Sequence, residues 1–187
     1  GYYGMRIYGG GTTSKVENVT IENTTIEDVY SYYPCYMYYI DGLEFNNNTV
    51  TSDTNMYAYS YGMYLQYVDN FNITGNYIGA DGTYNGNPAG FYYAFYMGNS
   101  VGTANPRSQV SNNCINIGAP GQTAYAYYTY MYNSGLFDYH NNTINKAGGY
   151  NSYAQYLSGG GLISMKNNSF SNNVGGDGMY VNGGFSI

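Results

Sequence analysis

Asp138, His140 and Lys166 are the residues whose types and spacing come closest to a proton-transfer constellation. Asp138 and His140 stand two apart in "FDYH", so on an extended strand they share a face. An imidazole can serve as base or acid, a carboxylate can orient it, and an ammonium can stabilise developing negative charge. A second candidate is the pair Asp41 and Asp69, in the matching stretches "IDGLEF" and "VDNFNI". If those stretches superpose, their carboxyl groups lie about 5 Å apart, the separation used by retaining glycosidases. Both aspartates precede Gly or Asn, however, where Asp commonly caps a turn through its own backbone. Turn capping is the preferred reading for this pair.

Whether such residues meet depends on the elements that carry them, and one recurrent phrase defines those elements. His140–Ile144 reads "HNNTI", with relatives at Asn46–Val50 ("NNNTV"), Thr74–Ile78 ("TGNYI"), Ser111–Ile115 ("SNNCI") and Lys166–Phe170 ("KNNSF"), and a weaker one at Glu22–Ile26 ("ENTTI"). The closing apolar residues Ile26, Val50, Ile78, Ile115, Ile144 and Phe170 are spaced by 24, 28, 37, 29 and 26 positions. Alternating apolar residues precede each phrase, as in Leu43-Glu44-Phe45 and Phe71-Asn72-Ile73, which is a strand signal. Further upstream lies a second short strand, often introduced by Tyr-Gly-Met, as in "YGMRI" at Tyr3–Ile7 and "YGMYL" at Tyr61–Leu65. Turn residues such as Asp41-Gly42, Asp69-Asn70 and Ser134-Gly135 are expected between the two strands.

A unit of this size cannot bury its own apolar face, whereas stacked units can. The expectation is an all-β, right-handed parallel β-helix of about six to seven coils, forming one domain over residues 1–187. Its uneven spacing places insertions at corners. Alignment of the phrases puts Thr24, Asn48, Asn76, Asn113, Asn142 and Asn168 in one column at about 4.8 Å per rung. Stacked amides can satisfy one another and the corner backbone, so this column is expected to form an asparagine ladder, internal or at a corner. Asn also tolerates the left-handed backbone of a sharp corner.

Composition agrees. The 187 residues include 29 Tyr and 27 Gly, with 19% aromatic and only 9% charged residues. That aromatic content argues against disorder. The net charge of −6, with five scattered Lys and Arg, excludes a basic nucleic-acid-binding face. No apolar run of about 18 residues is present, so membrane insertion is not expected. Cys35 and Cys114 make no metal-binding spacing. About three rungs apart, they also exceed the roughly 7 Å that a disulfide spans, so two free thiols are expected. No cofactor is implied. The N-x-[ST] sequons, such as Asn141-Asn142-Thr143, mostly fall inside the repeat phrase, which explains them better than glycosylation does.

Tyrosines cluster at Tyr30–Tyr39, Tyr57–Tyr67, Tyr92–Tyr96, Tyr125–Tyr132 and Tyr150–Tyr156, each ahead of the first strand of a coil. Superposition would align Tyr57, Tyr59, Tyr61, Tyr92, Tyr93, Tyr125, Tyr127, Tyr128 and Tyr130 as an aromatic wall. Such a wall can stabilise the solenoid by stacking, and that role alone is favoured over ligand or partner contact. It can also offer a platform for sugar rings.

The coil typified by "YGMYL…DNFNITGNYI" resembles the repeats of right-handed parallel β-helices of the pectin-lyase-like superfamily, over essentially the whole chain. The Tyr/Asn/Gly bias also looks like that of large cell-surface proteins of Bacteroidota-type bacteria. The resemblance implies an extracellular or cell-surface setting, and a fold that hosts lyases and hydrolases as well as adhesins. It places the chemistry of such enzymes on an exposed parallel sheet, where Asp138, His140 and Lys166 fall. Those enzymes usually show several Asp with Arg or Lys, whereas the neighbouring column positions here are Asn, Ser, Thr and Gln. A solvated face is therefore preferred. The expected function is a non-catalytic stalk, adhesin or filament segment that contacts glycans or other chains, including by end-to-end self-association. A polysaccharide lyase or glycoside hydrolase is the alternative. Both ends fall mid-pattern, which is expected of a piece of a longer protein or of a stacking subunit.

Overall fold

A computed structural model describes residues 3–29, 32–52, 61–79, 83–84, 87–88, 91–116, 127–146, 153–172 and 177–186. Among them there is no helix. The chain winds into a parallel β-solenoid with two walls, a ten-stranded sheet and a six-stranded sheet. In the first, the strands Tyr3–Tyr8, Tyr33–Asn46, Tyr61–Thr74, Tyr93–Gly98, Tyr127–Tyr132, Tyr153–Lys166 and Asp177–Ser186 pair in parallel in that order. The strands Val16–Glu22, Ser108–Ser111 and Phe137–His140 complete its second half by pairing with the long strands. The second sheet stacks Thr25–Val29, Thr49–Ser52, Tyr77–Gly79, Cys114–Asn116, Thr143–Lys146 and Ser169–Asn172.

The closing apolar residues of the repeat phrase are direct rung neighbours. Ile26 pairs with Val50, Val50 with Ile78, Ile78 with Ile115, Ile115 with Ile144, and Ile144 with Phe170. Five full turns join these six strands, fewer than the six to seven coils expected. The difference arises because the strands Tyr3–Tyr8 and Asp177–Ser186 belong to part-coils. The longest interval, Ile78 to Ile115, includes a small antiparallel pair, Thr83–Tyr84 with Asn87–Pro88, outside both walls.

A second correction concerns the residues taken as turns. Asp41-Gly42 and Asp69-Asn70 do not separate two strands. They bend single strands of 14 residues, Tyr33–Asn46 and Tyr61–Thr74. The pairing Ile40–Val68, Asp41–Asp69 and Leu43–Phe71 runs on through the bend. Gly42 (φ +81°) and Asn70 (φ +52°) absorb the change of direction locally, at residue types that enter the left-handed region cheaply. Tyr39 and Tyr67 bend the same strands at φ +58° and +54°, which is unusual for aromatic residues. Their rings stack on each other at 5.1 Å, an interaction available at that geometry.

The lumen is lined by columns of like residues. Met37, Leu65, Met97, Met131 and Leu157 follow one another in register, as do Phe45, Ile73, Val110 and Tyr139, and all are buried. Burying such side chains contributes about 1.5–3 kcal/mol each relative to exposure. Because every coil contributes to the same columns, a single coil has no core of its own. Gly62 shows how tightly neighbouring coils meet, because a Cβ there would lie 2.5 Å from the Ala94 carbonyl oxygen.

Candidate functional site: an asparagine spine and a tyrosine wall

At the corner between the two sheets, Asn48, Asn76, Asn113 and Asn142 are buried to 3% exposure or less. The backbone N–H groups of Thr24, Asn48, Asn76, Asn113 and Asn142 each donate to the Oδ1 of the next coil's asparagine at 2.9–3.0 Å. The Nδ2 groups of Asn48, Asn76, Asn113, Asn142 and Asn168 reach back to the carbonyls of Ile21, Phe45, Ile73, Val110 and Tyr139. The Nδ2 groups of Asn76, Asn113 and Asn142 also donate forward to the next Oδ1. Buried polar groups need such partners, and here one side chain serves backbone donors and acceptors that the corner cannot pair by itself.

The left-handed backbone expected of this column lies one residue earlier. Asn23, Asn47, Gly75, Asn112, Asn141 and Asn167 carry the positive φ values, between 51° and 67°. The two neighbouring positions thus divide the work, the first turning the chain and the second holding the hydrogen bonds. A shorter serine row was not read from the sequence. Ser100 and Ser134 are buried in register with Val68. Val68 N–H donates to Ser100 Oγ and Ser100 N–H to Ser134 Oγ, both at 3.1 Å.

Most of the clustered tyrosines among the described residues occupy the outer face of the ten-stranded sheet, within the first strands of the coils and not ahead of them as expected. One column runs Tyr3, Tyr33, Tyr61 and Tyr93, with ring centroids 5.7, 5.0 and 4.8 Å apart. A second runs Tyr36, Tyr64, Tyr96, Tyr130, Tyr156 and Tyr180, with successive separations of 5.2, 4.6, 5.4, 5.0 and 5.0 Å. Between columns the rings meet edge to face, as Tyr61 meets Tyr64 at 78° and Tyr93 meets Tyr96 at 81°. Both arrangements suit the ring quadrupole. The guanidinium of Arg6 lies 5.0 Å from the ring centres of both Tyr3 and Tyr8, a cation–π contact at one end of the wall.

Of the wall residues expected, Tyr61, Tyr93 and Tyr130 take their places and Tyr92 packs edge-on against Tyr93. Tyr57, Tyr59 and Tyr125 lie outside the described residues, as do the side chains of Tyr127 and Tyr128. Of the second column only Tyr130 was among the residues expected. The column's signal is the recurrent Tyr-x-x-Tyr of Tyr33/Tyr36, Tyr61/Tyr64, Tyr93/Tyr96 and Tyr153/Tyr156. Strict alternation would put such residues on opposite faces. Here two consecutive residues point inward, Pro34-Cys35 in one coil and Gly62-Met63 in the next, so both flanking tyrosines emerge outward.

Burial pushes the phenols of Tyr33, Tyr61, Tyr64 and Tyr130 above the ordinary value of 10.0, and those of Tyr36 and Tyr96 up to about 12, with neighbouring tyrosines adding to the effect. Tyr64 Oη donates to Gln66 Oε1.

The candidate catalytic groups are placed as follows. Asp41 and Asp69 are rung neighbours. Asp69 is engaged by Lys15 Nζ and accepts the Val101 N–H at 3.1 Å, while Asp41 accepts from Asn70 Nδ2. Asp138 and His140 share the outer face, and Lys166 is the rung neighbour of His140. Asp138 is paired with Arg107 Nε at 2.7 Å, and His140 Nε2 hydrogen-bonds Ser164 Oγ at 3.0 Å. A shallow cleft of about 350 Å³ opens on the same sheet, lined by Glu44, Asn72, Thr103, Arg107 and Gln109 among others. Glu44 is held there by Asn72 Nδ2 at 2.7 Å and Asn46 Nδ2 at 3.0 Å. Among the described residues no group of His, Cys, Asp and Glu is arranged to hold a metal ion. Cys35 is buried and Cys114 half-buried, both as free thiols.

No family model, curated protein or solved structure matches the chain.

Proposed function

We propose that the chain is a non-catalytic structural solenoid, working outside the cell or at its surface as a stalk, adhesin or filament segment. The observation that supports this most is how the tyrosine faces are used. Along the column from Tyr36 to Tyr180 each internal ring lies against rings above and below, so its faces are already occupied. The half-buried ring edges still line the outer surface of the sheet. Such a wall suits contact with an extended polymer, a glycan or another chain, along a row of ring edges rather than through stacking on isolated platforms. The carboxylates considered for catalysis are engaged by Lys15, Arg107, Asn70 and backbone, which fits a structural role for them.

The test is binding of the intact chain to immobilised neutral and acidic polysaccharides, combined with light scattering over a range of protein concentrations. Retention on a glycan or concentration-dependent assembly supports an adhesin or filament; neither would leave a spacer alone. The alternative, a polysaccharide lyase or hydrolase, is favoured by the cleft beside Glu44 and Arg107 on the face that carries Asp138 and His140. Release of reducing or unsaturated ends from a polysaccharide, lost in Asp138→Asn, would replace the first reading with that one.

A further inference from the structure

We propose that the second tyrosine column is an oxidative cross-linking seam, in which rung-neighbouring tyrosines couple to dityrosine and staple successive coils covalently. This goes beyond a scaffold held by stacking. It does not depend on whether the wall binds a partner.

The geometry supplies what that coupling needs. Tyr36 and Tyr64 lie 5.2 Å apart with their rings 6° from parallel, and Tyr64 and Tyr96 lie 4.6 Å apart at 5°. Since Tyr36, Tyr64 and Tyr96 are in exact register on parallel strands, like carbons stack over like carbons. The carbons ortho to the hydroxyls, which carry much of the unpaired spin of a tyrosyl radical, therefore face each other across one rung. The rings are half-buried, so an oxidant in solution reaches their edges while the wall excludes competing side chains. Tyr64 Oη donates to Gln66 Oε1, which orients the hydroxyl but leaves solvent as the acceptor of its proton on oxidation.

The chemistry balances with a named co-reactant, two equivalents of a one-electron oxidant such as a photogenerated ruthenium(III) tris-bipyridyl complex. Each of two phenols loses one electron to the oxidant and its hydroxyl proton to solvent. The two radicals join through their ortho carbons in one new C–C bond. The hydrogen on each of those carbons then moves to its own oxygen, restoring both aromatic rings and hydroxyls. The pair loses two hydrogens in total, and two ruthenium(III) centres are reduced to ruthenium(II).

The experiment is brief photo-oxidation of the folded chain with that complex and persulfate, followed by proteolysis and tandem mass spectrometry. Expected are cross-linked peptides joining Tyr36 to Tyr64, Tyr64 to Tyr96 and Tyr96 to Tyr130, the last pair 5.4 Å apart and in register, in a yield independent of protein dilution. Tyr64→Phe keeps the stacked ring but has no phenol to oxidise. It should lose the first two of those links while the Tyr96–Tyr130 link persists. Tyr77→Phe, on the other sheet, should leave the pattern unchanged. The proposal is overturned if coupling is absent, if its yield falls on dilution as for links between molecules, or if the links scatter as they do in the urea-unfolded chain.

Discussion

Asn142 Oδ1 accepts two hydrogen bonds from Asn113, one from its backbone N–H and one from its Nδ2, both at 3.0 Å. A single buried oxygen thus ties both the main chain and the side chain of the preceding coil.

Replacing Asn113 by Ala removes the oxygen that serves two donors of Asn76 and the Nδ2 that serves Ile73 and Asn142. At about 1–3 kcal/mol for each buried group left without a partner, a loss of about 4 kcal/mol is expected. Asn168→Ala, at a half-buried site, should cost less. Urea denaturation midpoints of the two variants check the order, and equal losses would contradict a graded spine.

Legibility in the sequence followed chemical uniqueness. The spine could be read because no other residue offers a donor and an acceptor in so short a side chain, so Asn recurs at Asn48, Asn76, Asn113 and Asn142. The register of the second sheet came with it. The serine row was hidden because Ser100 and Ser134 occupy positions where earlier coils place Ile40 and Val68. Nothing in a serine's identity distinguishes that site from a loop. The bends at Gly42 and Asn70 looked like turns because local residue choice reports φ, whereas continuation of the strand is decided by the coils above and below. Apart from Tyr130, the central tyrosine column escaped for a related reason, since the paired inward residues break the two-residue alternation on which a face is assigned from sequence. The roles of Asp138 and His140 were not decided there either. The partner of Asp138, Arg107, is remote in sequence and arrives from a neighbouring coil.

Alkaline stability should fall between pH about 10 and about 12. In the unfolded chain the phenols of Tyr36 and Tyr96 ionise near the ordinary value of 10.0, but burial in the wall holds them neutral up to about 12. The folded state therefore binds more protons across that interval, and the slope of stability against pH is negative there. Below pH 10 the contribution is fully present. Denaturation midpoints at stepped pH, followed with phenolate absorbance, test this. Phenolate formed near pH 10 in folded protein by the whole tyrosine population would contradict it.

Tyr64→Phe and Tyr64→Ala separate the hydroxyl from the ring. The first gives up the bond to Gln66, at about 1 kcal/mol. The second also removes stacking on both Tyr36 and Tyr96 and opens a gap in the wall, for a total of about 3 kcal/mol. Thermal unfolding of the two variants should show that ordering. Equal losses would mean that the ring contacts contribute nothing.

The thiols should differ in access. Cys35 is fully buried and its thiol is strongly raised, whereas Cys114 is only partly covered and raised by burial to a lesser degree. An aromatic disulfide reagent at neutral pH is expected to modify Cys114 slowly and Cys35 only after denaturant is added. Rapid modification of Cys35 in the native state would contradict its place in the lumen.

Asn76, Asn113 and Asn142 each present their oxygen to the earlier coil and a nitrogen to the later one, and Asn168 receives the last of these bonds on its oxygen. The row is therefore vectorial, with its dipoles pointing one way along the axis. Any additional turn can join it only in the same sense, because an inverted turn would oppose oxygen to oxygen or nitrogen to nitrogen. Growth of such a stack has a built-in polarity, set by a side chain that carries no net charge.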